Sequence, residues 1–395
     1  MMSALGIHRI VLFFALSFFC GRVFGQTVPS SNFTLIKDAA QAIAEGNLQR
    51  AEIELKTVLR TEPAEYRALN LLGVVRARQH REQEAEQLFK QAISTKPDFA
   101  SAHMDLGLLY VQLNRTDEAA NEFQEVLRLD PQRGDATTAL VNIYRSQAAV
   151  ATREQDFEKA LLALIEARKI SPHDPDVEFE FGMTALKLSL FSDAIQAFQE
   201  SLEQRRNDSK ALYGLGRAQI GMTQFQDANE TFERYIKMRP DDASGYYALG
   251  FVLRALQKAS QARQEFEMSL KLQPQQTESY FCLGLLDLDA SDLPNATKHF
   301  EEALKRDPKH AGALDGLGRV AFQQKRYEAS SNYLKLAILS DPSLREAHYY
   351  LGMAYGRMGQ SQDSQKELAI ANDLDREEVQ KQHSGLRLLG PEDTK

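Results

Sequence analysis

One pattern returns along almost the whole chain, and it leaves few folds open. Leu72-Gly73 is followed by Ala85, Phe89, Ala92 and Pro97, and 34 residues on, Leu106-Gly107 is followed by Tyr110, Ala119, Phe123, Val126 and Pro131. The same frame places Leu215-Gly216, Ala228, Phe232, Tyr235 and Pro240, then Leu249-Gly250, Ala262, Phe266 and Pro274, then Leu283-Gly284, Ala296, Phe300, Ala303 and Pro308. Leu317-Gly318 with Leu334, Ala337 and Pro342 continues it, as does Leu351-Gly352 with Tyr355, Leu368 and Ala371. Phe181-Gly182, Ala194 and Phe198 mark a unit without its proline, and Ala39, Ala51, Leu55 and Pro63 mark a weaker first unit. A fixed period of this length is the mark of stacked supersecondary units rather than of a single core.

Each landmark has a physical reason. Leu69, Leu72, Gly73 and Arg76 trace one stripe of a first helix, and the glycine lets a second helix come close. Ala85, Phe89 and Ala92 form the matching stripe of that second helix, small and large residues alternating so that the surfaces interlock. Pro97 disfavours helix in the residue before it and opens the turn into the next unit. One such hairpin cannot bury its own apolar faces, so neighbours stack into a solenoid.

These landmarks resemble the tetratricopeptide repeat family, and the resemblance covers residues 32 to about 378. It implies an all-α fold, a right-handed superhelical solenoid of antiparallel helix pairs. The expected organisation is a signal peptide at 1–25, a linker at 26–31, repeats one to three at 32–133, an enlarged fourth repeat at 134–174, repeats five to ten at 175–378 and a tail at 379–395. The fourth repeat needs about seven extra residues to keep Leu140, Tyr144, Ala160, Leu164, Ala167 and Pro172 in frame, roughly two helical turns. Its segment from Ser146 to Gln155 holds no Gly or Pro, which predicts a lengthened helix pair rather than a loop. Two readings stay open there: a local bulge in one continuous superhelix, or a joint between a short N-terminal array and a longer C-terminal one.

The first 25 residues follow another rule. His8 and Arg9 precede an apolar run from Ile10 to Cys20, and small residues at Val23 and Gly25 lead to Gln26, the layout of a secretory signal peptide cleaved before Gln26. The run is shorter than the roughly twenty residues a membrane span needs. Losing Arg9 and Arg22 takes the net charge from −8 to −10, which speaks against a nucleic-acid partner. With Cys20 in that run, Cys282 has no partner for an internal disulfide. The expected setting is export to a bacterial periplasm or beyond, with a eukaryotic secretory lumen as the alternative.

Catalytic and cofactor signatures are missing. No P-loop, GxSxG, HExxH or paired-cysteine pattern occurs, and His80, His103, His173, His299, His310 and His348 fall at different places in the repeat without a second ligand at metal spacing. The expectation is a non-enzyme with no cofactor and no metal. The tetratricopeptide resemblance implies instead that the first helices line a concave groove. In the C-terminal array its positions are Phe179, Met183, Tyr213, Arg217, Tyr247, Phe251, Arg254, Phe281, Leu285, Arg319, Phe322, Tyr349, Met353 and Arg357. Aromatic, Met and Arg side chains are the types enriched at protein interfaces. The N-terminal array has Arg67, Asn70, Val74, Arg78, Ser101, Met104, Leu108 and Gln112 there, a more polar set. A ring beside the core stripe can equally serve to pack against the adjoining first helix, and that alternative stays open for each residue.

The carboxylate clamp of chaperone-binding tetratricopeptide domains has no counterpart, since the matching pairs are Asn70 with Val74, Tyr213 with Arg217 and Asp315 with Arg319. The function expected is a protein–protein interaction scaffold or adaptor in the cell envelope, holding a partner peptide or helix along the groove. The alternatives are a co-chaperone-like holder of unfolded clients and a guide in polysaccharide export, the latter weakened by the absence of Trp.

Overall fold

The computed structural model describes residues 31–387. Residues 1–30, where a signal peptide and most of a linker are expected, and residues 388–395 of the expected tail lie outside the described residues. Among the described residues there are twenty helices and no strand, and the helices come in consecutive antiparallel pairs. The chain divides into two compact units between Val177 and Glu178. In the first unit the pairs are α1 (Ser31–Ala44) with α2 (Leu48–Thr61), α3 (Tyr66–Arg78) with α4 (Glu82–Thr95), α5 (Ala100–Gln112) with α6 (Thr116–Leu129), and α7 (Gly134–Arg153) with α8 (Phe157–Ile170). Helix α9 (Pro175–Lys187) begins at the division and pairs in sequence with α10 (Phe191–Gln204). In the second unit α11 (Ser209–Gly221) and α12 (Phe225–Met238), α13 (Ala243–Ala255) and α14 (Ala259–Leu272), α15 (Thr277–Asp289) and α16 (Leu293–Arg306), α17 (Ala311–Gln323) and α18 (Tyr327–Ser340), and α19 (Arg345–Arg357) and α20 (Ser361–Arg387) follow.

The periodic residues are the core. Phe89, Phe123, Phe198, Phe232, Phe266 and Phe300 are all fully buried, as are the alanines four residues before each of them. Burying one such ring stabilises by about 1.5–3 kcal/mol. The ring sits where the facing helix carries glycine: a Cβ built on Gly250 would lie 2.8 Å from the Phe266 ring, and one on Gly73 would lie 2.6 Å from Phe89. That is closer than real side chains approach, so the glycine is required by the depth of the ring's seat.

Every first helix ends the same way. Its C-terminal turn closes on a residue with positive φ, Gly46 at 81°, His80 at 56°, Asn114 at 59° and so on to Lys325 at 60° and Gly359 at 78°. The following amide reaches back to the helix, as Arg81 N–H does to Arg76 O at 2.9 Å. This is the Schellman closure, which satisfies helix-terminal carbonyls. Only two of these ten turns use glycine; the others accept the left-handed conformation with a side chain present.

The enlarged hairpin differs from the expectation in one respect. Helix α7 has 20 residues where α3 and α5 have 13, and α8 keeps the 14 of the other second helices. One helix is lengthened, not a pair. Seven added residues turn a helix by two turns less about 20°, so the buried stripe stays in phase and no loop is needed. Ala136, Leu140 and Ile143 in its first half and Ala148 and Ala151 in its second are all buried. At the other end, α20 runs to Arg387.

Candidate functional site

In both units the first helices lie on the inner side of the stack. Successive first helices touch, α1 with α3 and α3 with α5 in the first unit, and α13 with α15, α15 with α17 and α17 with α19 in the second. No two successive second helices approach as closely among the described residues. All fourteen candidate residues fall on first helices of the second unit, on the inner stripe beside the core stripe.

The rings of that stripe form a ladder. Phe179 lies 6.1 Å from Phe198, Tyr213 5.7 Å from Phe232, Tyr247 6.0 Å from Phe266 and Phe281 6.2 Å from Phe300, so each rung leans on the buried phenylalanine of its own hairpin. Each rung is half-buried and keeps one edge open. Phe281 also meets the next first helix: its ring is 4.9 Å from His310 and covers the backbone at Gly312. His310 is a cap there, its Nδ1 accepting from Ala313 N–H at 2.9 Å, and its Nε2 lies 3.1 Å from Glu278. Phe251, Phe322, Met183 and Met353 are half-buried, Leu285 is buried within the core beside Leu288 and Phe300, and Tyr349 is 41% exposed. Phe322 and Tyr349 both contact Tyr350, at 5.7 and 5.4 Å, making a four-ring cluster with Tyr327. The rungs therefore have a packing role, and what remains open is their edges.

The ladder has one polar rung. In the 34-residue frame of Phe179, Tyr213, Tyr247 and Phe281 the next position is Asp315, and then Tyr349. Asp315 is only 4% exposed, and desolvation pushes its carboxyl up to about 7 despite Arg319, whose Nη1 is 3.7 Å from Oδ2. Arg319 stacks over Tyr350 at 5.3 Å, and Arg254 faces Asp289 at 3.8 Å. Arg217 and Arg357 are exposed. Cys282 is buried next to the Tyr247 hydroxyl, and burial pushes its thiol up to about 12, which keeps it protonated and unreactive. Sequence reading placed the rings and arginines and paired Asp315 with Arg319, but it missed Asp315 as a rung of the ladder, which the ladder's own period signals, and passed over Asp289 and Tyr350.

The first unit's stripe is largely tied up internally. Asn70 donates to Asp105 at 2.7 Å across neighbouring first helices, Arg78 donates to Ile43 O at 2.7 Å, and Val74 and Met104 sit in the core. Burial also pushes the Asp105 carboxyl up to about 7. Among the described residues no group of three or more His, Cys, Asp or Glu could hold a metal ion, and no helix is long and apolar enough to cross a membrane.

MamA from Desulfovibrio magneticus RS-1 is 22% identical over 43% of this chain and 96% of its own, with a TM-score of 0.41. The Cut9–Hcn1 assembly of the APC/C is 12% identical over 87% of each chain, TM-score 0.46, and YrrB, described as a tetratricopeptide protein with an unusual peptide-binding site, is 22% identical over 47% of this chain and 95% of its own, TM-score 0.38. No match was found among curated proteins. One tetratricopeptide repeat model matches residues 76–143, 185–250 and 287–354, more than half of the chain, and a second matches residues 41–100. With the Leu-Gly, Ala, Phe and Pro landmarks in their expected places on paired helices, the chain belongs to the tetratricopeptide repeat family.

Proposed function

We propose that this chain is a non-catalytic scaffold of the cell envelope that holds an extended peptide or a helix of a partner protein along the inner stripe of its second unit. Tetratricopeptide repeat proteins are generally interaction scaffolds without catalysis, and the composition of the stripe carries the finer reading. Half-open rings of Phe179, Tyr213, Tyr247, Phe251 and Phe281 recur hairpin after hairpin on the side where first helices meet. Aromatic surface fixed by packing is presented at little entropic cost, which favours binding. The exported location rests on the apolar run from Ile10 to Cys20 and its small-residue exit before Gln26.

The test is capture of partners from the native host with the mature protein, whose intact mass should begin at Gln26. A variant carrying Tyr213→Ala, Tyr247→Ala and Phe251→Ala should lose the partner while retaining its helical circular dichroism. Identical partners from both proteins would remove the stripe from the reading.

A further inference from the structure

Arginines of the second unit fall into two groups by what their donors do. Arg263 reaches Asp287 at 2.5 Å, and Arg306 donates to Pro274 O at 3.0 Å and to the Tyr280 hydroxyl at 3.1 Å. Arg76 in the first unit likewise gives Glu52 two bonds of 2.8 and 2.9 Å. Arg254 and Arg319 on the inner stripe do otherwise. Their nearest carboxylate oxygens, on Asp289 and Asp315, stand at 3.8 and 3.7 Å, beyond hydrogen-bond reach, and the Nε–H of each is buried without an acceptor. An exposed guanidinium is satisfied by water; a half-buried one with an orphaned donor is not. Arg217 and Arg357, exposed on the same stripe, have no ion-pair partner among the described residues.

The acids around the stripe are already engaged or lean toward neutrality. Glu278 faces His310 at 3.1 Å, Glu346 faces Arg345 at 2.9 Å, and burial favours the protonated form of Asp315. The stripe therefore offers buried guanidinium donors with no acceptor in hydrogen-bond reach, and the exposed carboxylate beside them, Asp289 on α15, stands 3.8 Å from Arg254 without taking up its Nε–H. Between Arg254 on α13 and Arg319 on α17 stands α15, which presents the half-buried ring of Phe281 there and carries its one neighbouring acid, Asp289, at the end beside Arg254.

Resting on the reading of the stripe as a binding face, we propose that its occupant is an acidic extended segment, with carboxylates set against the four arginines and an apolar residue set against α15. The spacing follows from geometry. Touching helices have axes about 8–10 Å apart, and an extended chain advances about 3.3 Å per residue, so one hairpin corresponds to about three residues of the segment. Carboxylates should recur at about every third position, with one such position replaced by an apolar side chain.

The probes are three fluorescein-labelled 15-residue peptides of five triplets, Asp-Ser-Leu, Asn-Ser-Leu or Lys-Ser-Leu in the first, second, fourth and fifth and Leu-Ser-Leu in the third, titrated with the full chain by fluorescence anisotropy. The Asp peptide should bind at least about tenfold more tightly than the Asn peptide, and raising the salt concentration should weaken it. Arg217→Gln with Arg357→Gln, both exposed positions, should cost about tenfold for the Asp peptide alone. Equal binding of the Asp and Asn peptides, abolished by Tyr213→Ala, Tyr247→Ala and Phe251→Ala, would overturn the acidic preference and leave the binding face standing. Preferential binding of the Lys peptide overturns the preference as well. Binding of none of the three overturns both.

Discussion

Replacing Asp315 with asparagine should change how the second unit's stability depends on pH. Asp315 is 4% exposed on α17, and the groups that face it are Arg319 on its own helix and Glu346 on α19, the first favouring ionisation and the second opposing it. Burial dominates, and the carboxyl titrates near 7 in the folded chain against 3.8 as its ordinary value. The folded state therefore binds the proton more tightly than the unfolded state, and stability falls as pH rises from about 4 to about 7. At 1.36 kcal/mol per pKa unit the ionised carboxylate costs about 4.4 kcal/mol well above pH 7 and about 1.6 kcal/mol at pH 5, a difference of roughly 2.7 kcal/mol. Asparagine has nearly the same shape and no titration. Opening free energies of the α17 amides, measured by hydrogen exchange and corrected for intrinsic rates, should drop between pH 5 and pH 8 in the natural chain. In Asp315→Asn that drop should shrink by about 2–3 kcal/mol. Asp105 titrates in the first unit and is untouched by the change, so a readout confined to α17 separates the two. An equal pH dependence in both proteins would refute the assignment of a buried proton to Asp315.

Two further predictions concern the core and a buried imidazole. Phe266→Ala should cost about 3–5 kcal/mol in urea unfolding, because the ring is fully buried in the seat formed at Gly250, whereas Leu339→Ala, at a position 80% exposed, should stay within about 0.5 kcal/mol. His103 places Nδ1 2.7 Å from Glu122 and Nε2 3.0 Å from Pro97 O, two acceptors, so both nitrogens must carry protons. The bond to Glu122 raises its pKa, with burial opposing, and its stabilisation is full below the ordinary histidine pKa and is lost as pH rises through the elevated one. A proton NMR titration of its Cε1–H should give a value above 6.5; a value at or below that would show that the clip is not an imidazolium.

What the sequence revealed depended on whether a residue's role followed the period. Phe89, Phe123 and their successors repeat, and their burial could be read directly from spacing. The seven added residues of the fourth hairpin were legible too, but which helix took them was not, because a heptad insertion keeps the apolar stripe in phase in either helix. The left-handed turns escaped notice for a different reason. His80, Asn114, Gln155, Ser189, Thr223, Gln257, Ser291 and Lys325 all occupy the position where Gly46 and Gly359 mark the turn, and no common side-chain chemistry links them. Their conformation is imposed by the two helices on either side. His103 and His348 were scattered histidines in the sequence, and only the structure brings each between a glutamate and the carbonyl of a proline six residues earlier.

A stack of near-identical hairpins raises the question of what keeps them in order, since an apolar face that fits one neighbour fits them all. The seam between hairpins carries an answer in pairs 24 residues apart. On one seam Glu52 of α2 meets Arg76 of α3, and on another Arg263 of α14 meets Asp287 of α15, the same two positions with the charges exchanged. Arg76 and Asp287 are 4% and 2% exposed. Were α14 stacked on α3, Arg263 would stand against buried Arg76; were α2 stacked on α15, Glu52 would stand against buried Asp287. Arg76 and Asp287 are buried while Glu52 and Arg263 keep 20% and 35% of their side chains exposed, so a like-charge pair there is only partly screened, and the wrong order loses the hydrogen bonds as well. Beside them, Tyr110 and Arg115 meet Glu86 on the next seam, while Leu253 and Ala321 stand at the same position on later seams without a charge. The landmarks common to every repeat specify the solenoid, and these few positions that differ between repeats specify its sequence of hairpins.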